Sequence, residues 1–357
     1  MKKIFESVNL GNLMIKNRLI RSATQEGLAD RNGDVTPELL TIYEDLAAGG
    51  VGAIITSMVG IDENSRVFPK MIKTYGDSFV PGFSALVDKV HRHDCKIIVQ
   101  LAHNGAKANP DNGGNPLAPS DFPINPQKPA QAMTENEIQE TVSSFAQAAL
   151  TCKEADADGV QIHAAHGYLL SQFLSPFFNK RNDKYGGDIS NRARIVFDVY
   201  HAIREAVGED YPVFIKINAK DRVDGGFTLK ECIWVCGELE RLGINGLEIS
   251  SGLAVSLESA PTPKITSVAE EGAFAKNALE IADNVNIPVI SVGGYRTPEK
   301  IEAWLNTGNI EAVSLSRPLI CEPDLPNKWL SGNNTKSRCI SCNKCFDYKS
   351  GFGCKVF

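Results

Sequence analysis

Short, almost continuously apolar runs recur along this chain, and most are followed by a segment whose apolar residues return with helical spacing. Asn17–Thr24, Gly52–Met58, Lys96–Leu101 and Gly159–Ile162 are the first four runs; Pro212–Ile217, Gly246–Ser251, Ile287–Gly294 and Glu311–Arg317 are the other four. Runs without alternation predict strands covered on both faces, as in a parallel sheet. Between them, Thr36-Pro37 caps a helix carrying Leu39, Leu40, Tyr43, Leu46 and Ala47, which ends at Gly49-Gly50. Further helices are predicted near 78–93, from a Thr134–Glu137 capping box to about Glu154, over Asn191–Val207, 229–242 and 269–284, and from Thr297-Pro298 to Asn306. Residues 4–16 read as a small hairpin turning at Asn9 to Gly11.

Eight strand-then-helix units predict a (β/α)8 barrel, with an N-terminal hairpin before it and a cysteine-rich tail after it. The predicted division is a barrel over 1–330 and a tail over 331–357. A doubly wound open sheet normally carries a glycine-rich turn after its first strand, and no G-x-G-x-x-G follows Thr24. Residues 103–133 interrupt the pattern with Asn, Pro and Gly. An excursion of that length directly after the third strand is expected to cover the ligand face and, with the 252–268 loop, to shape a substrate pocket.

Charge narrows the partners. The formal net charge is −6 on 357 residues, without a basic block, which argues against nucleic acid. No apolar run approaches the ~20 residues of a membrane span, and the N-terminus lacks a secretory apolar core. A soluble, cytoplasmic protein is the expectation. Of nine cysteines, Cys95, Cys152, Cys232, Cys236 and Cys321 are scattered in apolar or helical surroundings and read as core thiols. The other four, Cys339, Cys342, Cys345 and Cys354, follow a C-x2-C-x2-C-x8-C spacing that suits an iron–sulfur cluster or zinc better than disulfides in a cytoplasmic chain.

The candidate chemistry lies at strand ends, where barrels of this kind bind ligands. Strand four runs out into His163, His166 and Tyr168. Strands seven and eight end in Gly293-Gly294 and Ser316-Arg317, a pairing that favours a phosphorylated ligand held by backbone amides and a guanidinium. Lys216 stands on an otherwise apolar strand five. It suits a ligand that gains negative charge, a structural pair with a carboxylate inside the barrel, or a Schiff base. Gln100 suits a heterocycle or plain core polarity. The two histidines could also begin a zinc site, although this loop offers no obvious further ligands.

Several motifs together resemble the old yellow enzyme family of FMN-dependent barrels. They are Asn17-Arg18 leading to Ser22-Ala23-Thr24, Gln100-Leu101-Ala102-His103, Ile162 to Leu169, Phe173 to Pro176, Arg181 to Gly187 with Asn191-Arg192, and Ser316-Arg317-Pro318. The resemblance implies FMN across the barrel mouth, its phosphate among Gly293, Gly294, Ser316 and Arg317. The ring system would then meet the Ser22, Ala23 and Thr24 backbone, Met58, Gln100 and Lys216. Many relatives carry arginine where this chain has Lys216. His163 and His166 would hold the electron-withdrawing group of an unsaturated substrate, and Tyr168 would donate the proton. The cysteine tail resembles the dienoyl-CoA reductase and trimethylamine dehydrogenase branch, which implies a [4Fe-4S] cluster on Cys339, Cys342, Cys345 and Cys354. The gap to Cys354 is shorter than in that branch.

The expectation is therefore an enzyme that reduces an activated C=C bond (enone, enoate or enoyl thioester) with electrons from NAD(P)H or a reduced carrier. The alternatives are an electron-transfer component that relays between FMN and a cluster or partner subunit, and a flavin-free phosphate-binding barrel. Expected partners are a small unsaturated substrate and ferredoxin or a separate electron-donor subunit, with a homo-oligomer left open.

Overall fold

A computed structural model describes residues 1–122, 129–253, 255–256, 258–347 and 350–357. Eight parallel strands close into a barrel: β1 (Leu19–Arg21), β2 (Ala53–Gly60), β3 (Lys96–Ala102), β4 (Gly159–Ala164), β5 (Val213–Asn218), β6 (Gly246–Ser250), β7 (Val289–Val292) and β8 (Ile310–Leu315). Helices lie between them, among them α1 (Pro37–Ala48), α2 (Phe79–His91), α3 (Glu135–Glu154), α4 (Arg194–Val207), α5 (Leu229–Leu242), α6 (Ala275–Ala282) and α7 (Pro298–Leu305). The (β/α)8 architecture expected from the apolar runs is the architecture found. Both Thr134 and Thr228 cap their helices through reciprocal bonds with Glu137 and Glu231.

Period-two alternation along each strand builds the barrel interior in layers. Ile20, Ile98, Phe214 and Ala312 belong to an apolar cluster inside the barrel. Two residues further along the same strands stand Ser22, Gln100, Lys216 and Ser314, all of which face a cavity at the C-terminal mouth. The intervening residues, such as Ile97, Val99, Ile215 and Val313, pack in the larger core shared with the helices. One turn of the strand pattern thus separates a greasy floor from a polar ligand layer. The floor is sealed from below by the N-terminal hairpin, whose Val8, Leu10, Leu13 and Ile15 join the same apolar cluster. That hairpin pairs Val8–Leu10 with Leu13–Ile15, so its turn is at Gly11-Asn12, just after the expected place; Gly11 has φ of +63°.

Other boundaries move for local reasons. The ladder of β7 stops at Val292, because Gly293 turns its carbonyl to the amides of Gly272 and Ala273, both at 2.9 Å. The helix expected over 269–284 is replaced by a short 3-10 turn, Val268–Glu270, and α6. Gly272, at φ +79°, breaks it, and a Cβ there would stand 2.5 Å from Trp304 Nε1. The 103–133 segment holds two short 3-10 turns and a two-strand pairing of Leu117–Ala118 with Gln131–Ala132; its residues 123–128 lie outside the described residues. Ala254 and Leu257 of the 252–268 loop do too.

The cysteine tail folds back onto the barrel. Ser337 N donates to Arg296 O at 2.9 Å, and Arg296 Nη1 donates to Cys339 O at 3.2 Å. Ser337 Oγ and Arg338 N both donate to Glu322 Oε2 at 2.7 Å. Among the described residues, no helix is long and apolar enough to cross a membrane.

Candidate active site

Every residue assigned above to FMN or to proton and hydride chemistry lines one cavity at the C-terminal mouth: Ser22, Ala23, Thr24, Met58, Gln100, His163, His166, Tyr168, Lys216, Gly293, Gly294, Ser316 and Arg317. The space between these side chains amounts to about 1050 Å³, including its opening to solvent. β4 and β8 stand opposite each other in the closed order. The histidine–tyrosine side therefore faces the Ser316-Arg317 side across the mouth.

Local geometry fixes the β4 side. His166 and Gly167 are both left-handed, at φ +62° and +71°, so the chain turns sharply after the strand and brings its rings together. The His163 ring lies 5.4 Å from His166 and 5.1 Å from Tyr168, centroid to centroid. His166 is braced: its amide donates to Asn218 Oδ1 at 3.2 Å and its Nε2 is 2.7 Å from Ser250 Oγ. Nδ1 of His163, by contrast, is buried and has no hydrogen-bond partner among the described residues. Burial, helped by the Lys216 and Lys107 cations, holds both imidazoles well below the usual histidine range. They act as neutral rings at physiological pH. Burial pushes the Tyr168 phenol up to about 12, which keeps it protonated.

Lys216 is paired. Its Nζ lies 3.2 Å from Glu248 Oε1 and donates to Ser22 Oγ at 2.9 Å. The carboxylate alternative weighed for Lys216 is thus realised while the lysine still faces the cavity. The ion pair argues against a Schiff base, which needs a neutral amine. Glu248 stands on an apolar strand and carried no local signal in the sequence. Its carboxyl is pushed up by burial, but Lys216, Ser314, Ser22 and Gln161 outweigh this and leave it below the ordinary value.

On the β7–β8 side, a Cβ on Gly293 would come within 2.8 Å of Ala273 N, and one on Gly294 within 2.5 Å of Ile265 Cγ1. The backbone here is accessible only because both residues are glycine. Arg317 lines the cavity, and its Nη1 donates to Pro263 O at 2.9 Å and Asn343 Oδ1 at 2.7 Å. The guanidinium, the glycine backbone and the Thr24–Ser316 hydroxyl pair, 2.8 Å apart, supply the donor chemistry a phosphate needs. An amide and an ammonium at the ring end complete a donor set that fits FMN. Phe346, from the tail, also lines this cavity and had not been singled out.

A second cavity is lined by Cys339, Cys342, Cys345 and Cys354, and it shares Arg317 with the first. Cys321 joins them there. Expected as a plain core thiol, it is in side-chain contact with Cys354, and burial with that contact pushes its thiol up to about 12. Among the described residues, no group of three or more His, Cys, Asp or Glu side chains is placed to hold a metal ion. Four thiols on one cavity match a cluster in kind and number, but they are not drawn to a common ligating point. Two histidines without further ligands likewise do not make a zinc site.

The sequence profile of the NADH:flavin oxidoreductase / NADH oxidase family matches residues 3–336. The chain belongs to this family. It is similar to an NADH oxidase of Thermoanaerobacter brockii, 38% identical over 346 residues, which cover 95% of this chain and 52% of that protein. Among solved structures, it is similar to a 2-naphthoyl-CoA reductase in complex with 2-naphthoyl-CoA, with a TM-score of 0.90 at 26% identity, covering 96% of this chain and 54% of that one. It is also similar to an old yellow enzyme homologue from Zymomonas mobilis, with a TM-score of 0.79 at 26% identity and 94% of both chains covered. The old yellow enzyme resemblance read from the motifs is therefore a family membership. The chain spans about half the length of the first curated relatives it matches.

Proposed function

We propose that this chain is a cytoplasmic FMN-dependent NAD(P)H oxidoreductase that reduces an activated C=C bond in an enone, an enoate or an enoyl thioester. The observation that carries this reading is the trio at the end of β4: His163 with a buried nitrogen that has no partner among the described residues, His166 braced by Ser250, and Tyr168 beside them, facing a phosphate-type donor set across one cavity. Bound FMN would supply hydride chemistry, taking two electrons from NAD(P)H and returning them to the substrate.

The chain's own residues do the rest. Neutral His163 and His166 each offer an N–H to the substrate's carbonyl oxygen, where negative charge gathers as the double bond is reduced. Because both rings are neutral, they polarise the substrate without adding a proton to it. Tyr168 holds its proton at neutral pH and delivers it to the carbon that becomes the carbanion. Lys216 and Gln100 present donors to the ring system, and Gly293, Gly294, Ser316 and Arg317 to the phosphate. A naphthoyl thioester on the similar reductase supports thioesters as one substrate class to test.

A second reading is favoured by the tail. Four cysteines line a cavity that shares Arg317 with the main site, and this supports an electron-transfer component that relays electrons between FMN and a [4Fe-4S] cluster on those cysteines, with ferredoxin or a separate subunit as the electron donor. Anaerobic purification with iron, sulfide and flavin analysis separates the two. FMN bleached by NADH and restored by an enone or enoyl thioester supports the reductase. Near four iron and four sulfide per chain, with no reoxidation by any unsaturated substrate, supports the relay.

A further inference from the structure

The Glu248 carboxylate accepts four side-chain hydrogen bonds beneath the barrel mouth, and no part of the reaction described above uses it. It is fully buried and sits on β6, opposite Lys216 in the parallel register. Oε1 accepts from Ser22 Oγ at 2.7 Å, Ser314 Oγ at 2.6 Å and Lys216 Nζ at 3.2 Å. Oε2 accepts from Gln161 Nε2 at 3.0 Å. Gln161 Oε1 in turn accepts from Gln100 Nε2 at 2.7 Å. One carboxylate therefore gathers side chains from β4, β5, β8 and the end of β1, and reaches β3 through Gln161.

A carboxylate can only accept, and this sets the direction of every bond in the chain. Gln161 must turn its NH2 toward Glu248, so its carbonyl oxygen faces Gln100. Gln100 must spend one N–H on that oxygen, which leaves its second N–H and its own Oε1 for the cavity. Ser22 and Ser314 must likewise point their hydroxyl hydrogens inward at Glu248. Three of the residues placed against the flavin ring, Ser22, Gln100 and Lys216, thus take their orientation from one residue that never reaches the ligand.

We infer that Glu248 is a positioning residue that fixes the polarity of Gln100 and sets the net charge that Lys216 shows to the flavin. The inference rests on the FMN reading. An unpaired lysine would stabilise the negative charge that reduction adds beside it; a lysine compensated by Glu248 does so less. This pairing holds the flavin at a more negative potential than Lys216 alone would.

The test is the midpoint potential of the FMN-loaded protein in Glu248→Gln, in Lys216→Met and in the double variant. Glu248→Gln is expected to move the potential to more positive values, Lys216→Met to more negative values, and the double variant to lie between them. Glu248→Gln alone leaves a buried ammonium without its carboxylate, so heat stability is read alongside. The double variant, which strands neither charge, is expected to melt above both single variants. FMN bound with an unchanged potential in Glu248→Gln, single shifts of the same sign, or a double variant that melts below both singles overturns the inference alone. A wild-type protein that neither carries nor binds FMN overturns the flavin reading and this inference with it.

Discussion

The ammonium of Lys107 lies over the phenol ring of Tyr168, 4.8 Å from the ring centroid. The same nitrogen donates to His166 O at 2.7 Å and to Leu253 O at 3.0 Å. A lysine from the loop after β3 thereby ties together the loops after β4 and β6. Gly167 makes room for it, since a Cβ there would lie 3.3 Å from Lys107 Nζ and 2.9 Å from Leu253 O. A cation on the ring face stabilises the phenolate that remains once Tyr168 gives up its proton.

That relationship predicts a pH dependence. Burial lowers Lys107 to about 8, so its charge is present below pH 8 and lost above it. The proton-donating half-reaction is expected to slow as pH rises through 8, while FMN reduction by NADH shows no such break. Lys107→Met should be slow at pH 7 and flat across this range, and Lys107→Arg should keep the low-pH rate. Stopped-flow reoxidation of reduced enzyme by an enone at pH 6 to 10 checks this; a break at pH 8 that persists in Lys107→Met assigns it elsewhere.

Tyr168→Phe removes the acid and leaves the ring. The reoxidation rate with an enone should fall by about 10²- to 10⁴-fold, the usual contribution of a positioned acid. Reduction by NADH should stay within about twofold. Equal loss in both half-reactions would place Tyr168 in binding rather than in proton delivery.

Little of this depends on features hidden from the sequence, because the strand ends are local. His163, His166 and Tyr168 lie within six residues of one segment, and Gly293-Gly294 and Ser316-Arg317 mark the ends of two recognisable apolar runs. What was not legible is what crosses the barrel. Glu248 reaches Lys216 through strand register and Ser314 across the interior, and neither proximity is encoded near residue 248. Lys107 lay in an irregular segment with no periodicity to show where its side chain goes. Cys321 read as core because its neighbours Leu319 and Ile320 are apolar; only the return of the tail brings it to Cys354.

Gly293→Ala tests the floor of the phosphate side. Its φ of +155° and the 2.8 Å approach to Ala273 N leave no space for a methyl group. A loss of about 1–3 kcal/mol in stability is expected from strain of this kind, with weaker FMN retention on gel filtration. Wild-type melting temperature and full FMN content in this variant would show that the 272–274 segment yields.

Arg317→Ala should weaken FMN binding by about 1.5–3 kcal/mol, the range for hydrogen bonds to a charged group, or roughly 10- to 150-fold in Kd. It also frees Asn343 and Pro263, so the tail should become more sensitive to limited proteolysis. Quenching of FMN fluorescence gives the affinity. An unchanged Kd would mean that the phosphate is held by backbone amides without the guanidinium.

The central claim is that one cavity binds FMN and passes its electrons to an activated double bond. An anaerobic titration of the purified chain with NADH and NADPH, followed by an enone, an enoate and an enoyl thioester, tests it most directly. The account predicts a flavin spectrum that bleaches with at least one nicotinamide and returns in full with at least one unsaturated substrate, yielding the saturated product in equal amount. A bleached flavin that no unsaturated compound reoxidises would contradict it.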